Sequence, residues 1–176
     1  MSRIETAPPR SPPDLRPEPG WVPVEPFPPE IGAGLFVSGG GDRDSFQVAY
    51  YGNGDERAVV GKAWFGPATQ GPPGHAHGGS LAALLDEVMG AAAWHAGYQV
   101  LAGRLCVDFR RLLPLGSVVQ FAARVSKVAG RQVHVEASLF EVESEPVAAG
   151  EGVFVQLSDD HRRRFLRQLQ DASTSR

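Results

Sequence analysis

Hydrophobic residues along this chain fall into two kinds of pattern. From Ser80 to about Ala96 they follow one another with hardly a breaker, as Leu, Ala, Val and Met, and the acids Asp86 and Glu87 interrupt the run. A segment that is apolar nearly all round and longer than an ordinary strand reads as a buried helix. On either side of it the period shortens to two. Val133, Val135, Ala137 and Leu139 alternate with Gln132, His134, Glu136 and Ser138, which marks a strand in a sheet with one covered face. Further strand-like runs occur at Leu35 to Val37, Ser45 to Gly52 and Ala58 to Phe65 before the helix. After it come Val100 to Leu113, Ser117 to Val128 and Pro146 to Leu157. In the first of these, Leu105, Val107 and Phe109 alternate with Arg104, Cys106, Asp108 and Arg110. Turn-forming breaks such as Gly39-Gly40-Gly41-Asp42, Gly54-Asp55-Glu56, Pro114-Leu115-Gly116 and Ala129-Gly130-Arg131 separate the runs, so antiparallel strands with short connections are expected. One long apolar helix flanked by strands predicts an α+β domain whose antiparallel sheet wraps the helix. No second helix of similar length alternates with the strands, which argues against a doubly wound sheet.

Both ends depart from this pattern. Residues 1–33 carry most of the 15 prolines, including Pro8-Pro9, Pro12-Pro13 and Pro28-Pro29. Such a segment lacks amide donors and has little to bury, so it is expected to be disordered or extended over the surface. Residues 34–158 then form the domain, and residues 159–176 a tail with a short amphipathic helix from about Asp159 to Asp171. Arg162 to Arg164 read as its solvated face. At 176 residues, 42% hydrophobic and net charge -3, the chain suffices for one core. The mildly acidic balance speaks against nucleic acid as a partner. A single cysteine, Cys106, excludes an internal disulfide and a cysteine metal cluster and fits a reducing cytoplasm. No apolar run reaches membrane-spanning length and no secretory pattern opens the chain, so a soluble cytoplasmic protein without a membrane partner is expected.

The chemistry is concentrated where the loop Gln70 to Gly79 feeds the helix. Amide groups in a first helical turn lack helical acceptors and carry the positive end of the dipole, so they suit an anion or a polarised carbonyl oxygen. Ser80 or Gly79 is the expected cap. Asp86, two turns on, is costly to desolvate unless it has a task. His77-Gly78-Gly79 opening the helix, followed by an acid at Asp86, resembles the hotdog-fold acyl-CoA thioesterases, specifically the phenylacetic-acid-pathway and HGG-type group. Gly71-Pro72-Pro73-Gly74, Val107-Asp108-Phe109-Arg110-Arg111 and Pro114-Leu115 share the likeness, which runs from about Gly61 to Leu157.

That resemblance implies hydrolysis of an acyl-CoA thioester. Asp86 would be the base or nucleophile, the Gly78 and Gly79 amides the oxyanion donors, and His77 would hold loop or substrate in place; Gln70 stands next to the position where relatives carry a polar side chain. Eight residues of helix separate Gly78 from Asp86, about 12 Å of rise, so one carbonyl cannot reach both. Two antiparallel helices across a twofold axis would bring them together, and a homodimer is expected, with stacking into a dimer of dimers left open. No cofactor is implied, coenzyme A being part of the substrate. Arg110, Arg111, Lys127 and Arg131 could meet its phosphates. Trp94, Phe65 and Met89 are candidates for the acyl pocket, and core packing explains them equally well. His75 and His77 with Asp86 or His95 lack the spacing of a metal site. Glu87 points about 100° away from Asp86 and reads as a solvated or interface group. Relatives often place a Ser or Thr near the acid, either on the next strand, where this chain has Ala102, Gly103 and Arg104, or one helical turn on, where it has Gly90. A non-catalytic hotdog module that binds acyl-CoA or an acyl carrier is therefore the alternative.

Overall fold

The computed structural model describes residues 14–32, 35–39, 44–141 and 145–158, with positions 160, 161, 163, 164 and 167 beyond them. In chain order the elements are β1 (Val22–Pro23), α1 (Pro29–Gly32), β2 (Phe46–Gly52), β3 (Ala58–Phe65), α2 (Gly78–His95), β4 (Val100–Phe109), β5 (Val118–Ala129), β6 (Gln132–Phe140) and β7 (Pro146–Gln156). The strands form one sheet in the order β1-β2-β3-β5-β6-β7-β4, and every neighbouring pair is antiparallel. The expected α+β hotdog architecture is what forms: a seven-stranded sheet curls around α2, the one long helix among the described residues.

The reason lies in burial. Leu81, Leu84, Leu85, Val88, Met89 and Ala91–Ala93 of α2 are inaccessible to solvent or nearly so. They pack against Val59, Ala63, Phe65, Val119, Phe121, Val125, Val133, Val135, Leu139 and Val147 of the sheet. With apolar side chains worth roughly 1.5–3 kcal/mol each on burial, this interior dominates the stability. In β5 and β6 the inward positions alternate with outward polar ones as the period of two predicts. Phe65 and Met89 are core residues here.

Three expectations need correction. Leu35–Val37 is no strand but part of a turn running from Phe36 to Gly39. The first 33 residues are not wholly structureless, because residues 14–32 lie along the domain and have side chains that bind it. Trp21 stacks 5.7 Å from Tyr51, whose hydroxyl donates to Leu15 O at 2.7 Å. Lys62 Nζ pairs with Glu18 at 2.6 Å, and Gln120 Nε2 donates to the same carboxylate at 3.0 Å. Residues 1–13 lie outside the described residues, as do most of the expected C-terminal helix and its Arg162; the described positions 160, 161, 163, 164 and 167 are helical.

Strand β4 supplies the third correction. The strand expected over Val100 to Leu113 ends at Phe109, Leu101 through Cys106 are all exposed, and Phe109 is 55% exposed. β4 is the end strand of the sheet, paired only to β7 among the described residues, so its outer edge keeps unpaired backbone donors and acceptors. The opposite edge differs: β2 is covered by β1 and the segment before it.

Candidate functional site

A tightly bonded loop sets the start of α2. The chain leaves β3 through a short 3-10 turn, Pro67–Thr69, and the buried Thr69 hydroxyl donates to Gly66 O at 2.7 Å. Thr69 O then accepts from His77 N at 2.7 Å and from the Ser80 hydroxyl at 3.2 Å. Ala76 N donates to Leu113 O, and Leu115 N donates to Gly74 O, which ties the loop to the turn after β4. The helix terminus therefore sits on a rigid support.

The cap is His77, not Ser80 or Gly79. Its Nδ1 accepts from Gly79 N at 2.8 Å, and its backbone is extended, as an N-cap requires. That acceptor role places the ring proton of a neutral His77 on Nε2. The two glycines of the motif thereby take different tasks. Gly79 spends its amide on the cap, and a Cβ there would lie 2.9 Å from His77 Nδ1. Gly78 has no acceptor for its amide among the described residues, and a Cβ there would meet only the Phe109 ring at an ordinary 3.5 Å. Of the two expected oxyanion donors, the chain presents Gly78 and keeps Gly79 for its own structure. Gly71 explains why no polar side chain can stand at that position: a Cβ would come within 2.7 Å of His77 Cα. The neighbouring Gln70 is exposed and bridges to Ala76 through backbone.

Two turns further on, Asp86 and Glu87 face different surroundings. Asp86 Oδ1 is buried and has no hydrogen-bond partner among the described residues. Burial holds its carboxyl above the ordinary value of 3.8. It opens on a groove of about 320 Å³ lined mainly by apolar groups, among them Ala83, Trp94 and Phe154. Gly90 and Ala102 also line this groove, so both positions where relatives carry a hydroxyl are adjacent to the acid here and offer it none. Trp94 lines the groove as well.

Glu87, expected to be a solvated or interface group, is engaged by other parts of its own chain. Its Oε2 accepts from Val37 N at 3.1 Å and Ser38 N at 3.4 Å, and its Oε1 accepts from the Tyr50 hydroxyl at 3.0 Å. Burial raises the Tyr50 phenol well above its usual value, and the Glu87 charge and hydrogen bond raise it further. No sequence spacing announces this set of contacts, since its members lie 37 to 50 residues apart.

The four candidate phosphate-binding cations separate within one chain. Arg110 and Arg111 follow the end of β4 near Gly78, and Arg111 pairs with Glu141 at 3.4 Å and donates to Glu145 O. Lys127 and Arg131 lie at the other end of the sheet, where Arg131 donates twice to Gln156 O. His75 Nδ1 is bonded to Pro73 O, and no cluster of three metal-ligating side chains forms among the described residues. Nor is any described helix long and apolar enough to cross a membrane.

Comparison with known proteins bears on the fold and the family. Residues 73–148 match the thioesterase superfamily. Acyl-coenzyme A thioesterase THEM4 of Bos taurus is 30% identical over 129 residues, covering 73% of this chain and 53% of that protein. The chain spans about half the length of the curated relatives it matches. Among solved structures, a thioesterase superfamily protein superposes with a TM-score of 0.59 at 30% identity, covering 62% of this chain and 54% of the other. A hypothetical thioesterase protein from Streptococcus pneumoniae, solved with coenzyme A, gives a TM-score of 0.58 over 65% of this chain and 87% of its own; at 14% identity it speaks for the fold alone.

Proposed function

We propose that this chain, whose residues 73–148 match the thioesterase superfamily, hydrolyses an acyl-CoA thioester to the free acid and coenzyme A. The observation that carries this reading is the unpartnered Asp86 carboxylate facing an apolar groove. A buried acid with no bonding partner is a standing cost to the fold, and a raised pKa brings it closer to the working range of a general base. The named activity of the curated relatives supports the substrate class.

Asp86 takes a proton from water as the water oxygen attacks the thioester carbon. The carbonyl oxygen, gaining negative charge, is held by the Gly78 amide at the positive end of α2. Collapse of the tetrahedral species breaks the C–S bond, and the departing thiolate takes up the proton. With about 12 Å of helix between Gly78 and Asp86, the two groups acting on one carbonyl come from different copies. The bare edge of β4, with Leu101 and Leu105 exposed beside it, is the surface through which a second copy would pair. Arg110 and Arg111 of the chain that provides Gly78 would meet the coenzyme A phosphates, Arg111 at the expense of its pairing with Glu141. A cytoplasmic setting is consistent with the lone exposed Cys106.

The alternative, an acyl-CoA binding module without turnover, is favoured by one feature, the replacement of hydroxyl side chains around Asp86 by Gly90 and Ala102. A free-thiol assay over short, medium and aromatic acyl-CoAs separates the two. Turnover is expected, with Asp86→Asn lowering kcat by roughly 10²–10⁴-fold while size-exclusion chromatography still shows the dimer. Gly78→Ala, which meets no clash in the fold, is expected to impair turnover without loss of stability. Equal rates in the Asp86→Asn and unsubstituted chains, or a catalytically active monomer, would overturn the reading.

A further inference from the structure

The groove beside Asp86 is assembled from two parts of the chain. Its inner side comes from α2, β4 and β7, through Gly90, Trp94, Ala102 and Phe154. Its outer side comes from the segment before β2, through Phe27, Ile31, Leu35, Phe36 and Val37. The matched family segment begins only at residue 73, so this outer side is contributed by residues that precede it.

Two tethers hold the segment, and the hydrolysis described above uses neither. The Phe27 ring sits 6.3 Å from Trp94 and 6.4 Å from Tyr50. Ten positions later, the Val37 and Ser38 amides donate to Glu87, which also accepts from Tyr50. Trp94 and Glu87 both belong to α2, so the segment is fastened at two points of the helix that carries Asp86 and flanks the groove between them. The groove offers a guest almost nothing polar. Besides Asp86, its one charged lining residue is Glu87, both of whose oxygens already accept hydrogen bonds, and the Trp94 indole N–H is spent on Val100 O.

We propose that Phe27, Ile31 and Leu35–Val37 are the acyl-selecting wall of this site, held in register by Glu87 as a positioning residue. The substrate class it selects is a thioester with an apolar acyl chain of medium length and no charged terminus. This rests on the thioesterase reading and adds to it which residues measure the acyl group. A volume near 320 Å³ lies at the small end of the roughly 300–1,000 Å³ typical of ligand sites, which fits a medium rather than a long chain. A carboxylate at the far end of the chain would lose its hydration and find no donor.

The test uses the full chain carrying Asp86→Asn, so that binding is read without turnover. It is titrated calorimetrically with saturated acyl-CoAs from acetyl to dodecanoyl, and with a ω-carboxylated thioester matched in length to one of them. The Kd is expected to fall roughly threefold to fourfold per added methylene until the groove is full. The carboxylated thioester is expected to bind at least about tenfold more weakly than its methyl-ended match. Adding Phe27→Ala, Leu35→Ala or Glu87→Ala should bring the factor per methylene below about twofold, so that the loss grows with chain length. Glu87→Gln, which keeps an acceptor oxygen, should recover part of it. A loss of the same size at every chain length, or an unchanged dependence in all three variants, overturns the assignment. Turnover by the unsubstituted chain is scored on the same thioesters, which keeps failure of the hydrolase reading distinct from failure of this one.

Discussion

Asp86 and Glu87 are neighbours on one helix, carry the same functional group and are both partly withdrawn from water, yet their surroundings are opposite. Glu87 gathers two backbone amides and a phenol from elements far away in sequence. Asp86 has a buried oxygen with no partner, beside Gly90 and Ala102 that supply none. Consecutive helical residues point about 100° apart, which here is the difference between a turn that needs an acceptor and a groove that needs a reagent. A carboxylate satisfied by the fold stabilises it; one left unsatisfied is free to act on something that arrives later.

The comparison can be broken most sharply at Glu87. Glu87→Ala leaves the Val37 amide, the Ser38 amide and the Tyr50 hydroxyl without their acceptor, and is expected to cost about 2–4 kcal/mol in chemical denaturation. A cost below about 0.5 kcal/mol would mean that the clasp is ornamental. Tyr50→Phe removes one donor of the three and should cost about 1–2 kcal/mol. Burial makes Tyr50 hard to ionise, and its deprotonated form would face the Glu87 charge, so the parent should lose stability as alkaline pH approaches the phenol's unfolded value, whereas Tyr50→Phe should lose less.

The smallest expected effect concerns Asp86 and has the opposite sign. Its folded pKa is raised, so below about 3.8 the acid is protonated in both states and contributes no difference. As pH rises from 3.8 through the folded value, the unfolded chain ionises first and the native state loses stability. Asp86→Asn should therefore match its parent in acid and become the more stable of the two toward neutral pH, in parallel urea titrations. The reverse order would show that Asp86 has a stabilising partner after all.

Much of this could be read from the residues. Val133, Val135, Ala137 and Leu139 alternate in the sequence and point inward in the structure, because side-chain direction in a strand is set by a period of two. The unbroken apolar run after Gly79 became the buried helix, since a segment hydrophobic on all sides has to be enclosed. The likeness of His77-Gly78-Gly79 and Asp86 pointed to the loop and acid around which the candidate site is built. The role of His77 as cap was hidden, because histidine is no customary capping residue and only the bond from Gly79 N reveals it. The partners of the segment at residues 14–32 were equally hidden, since its order comes from Trp21, Glu18 and Phe27 meeting groups in the sheet and on α2.

What the sequence determined by itself is therefore what local periodicity and backbone chemistry can encode: one enclosed helix, the alternating strands around it, and a glycine loop feeding the start of that helix. Tertiary structure decided the rest. It made β4 the bare edge of the sheet although its pattern matched that of covered strands, and it sent Glu87 to a distant turn while leaving Asp86 unpartnered. Both outcomes depend on which groups separated by tens of residues come within hydrogen-bonding distance, and that is settled by packing of the whole chain rather than by any short stretch of it.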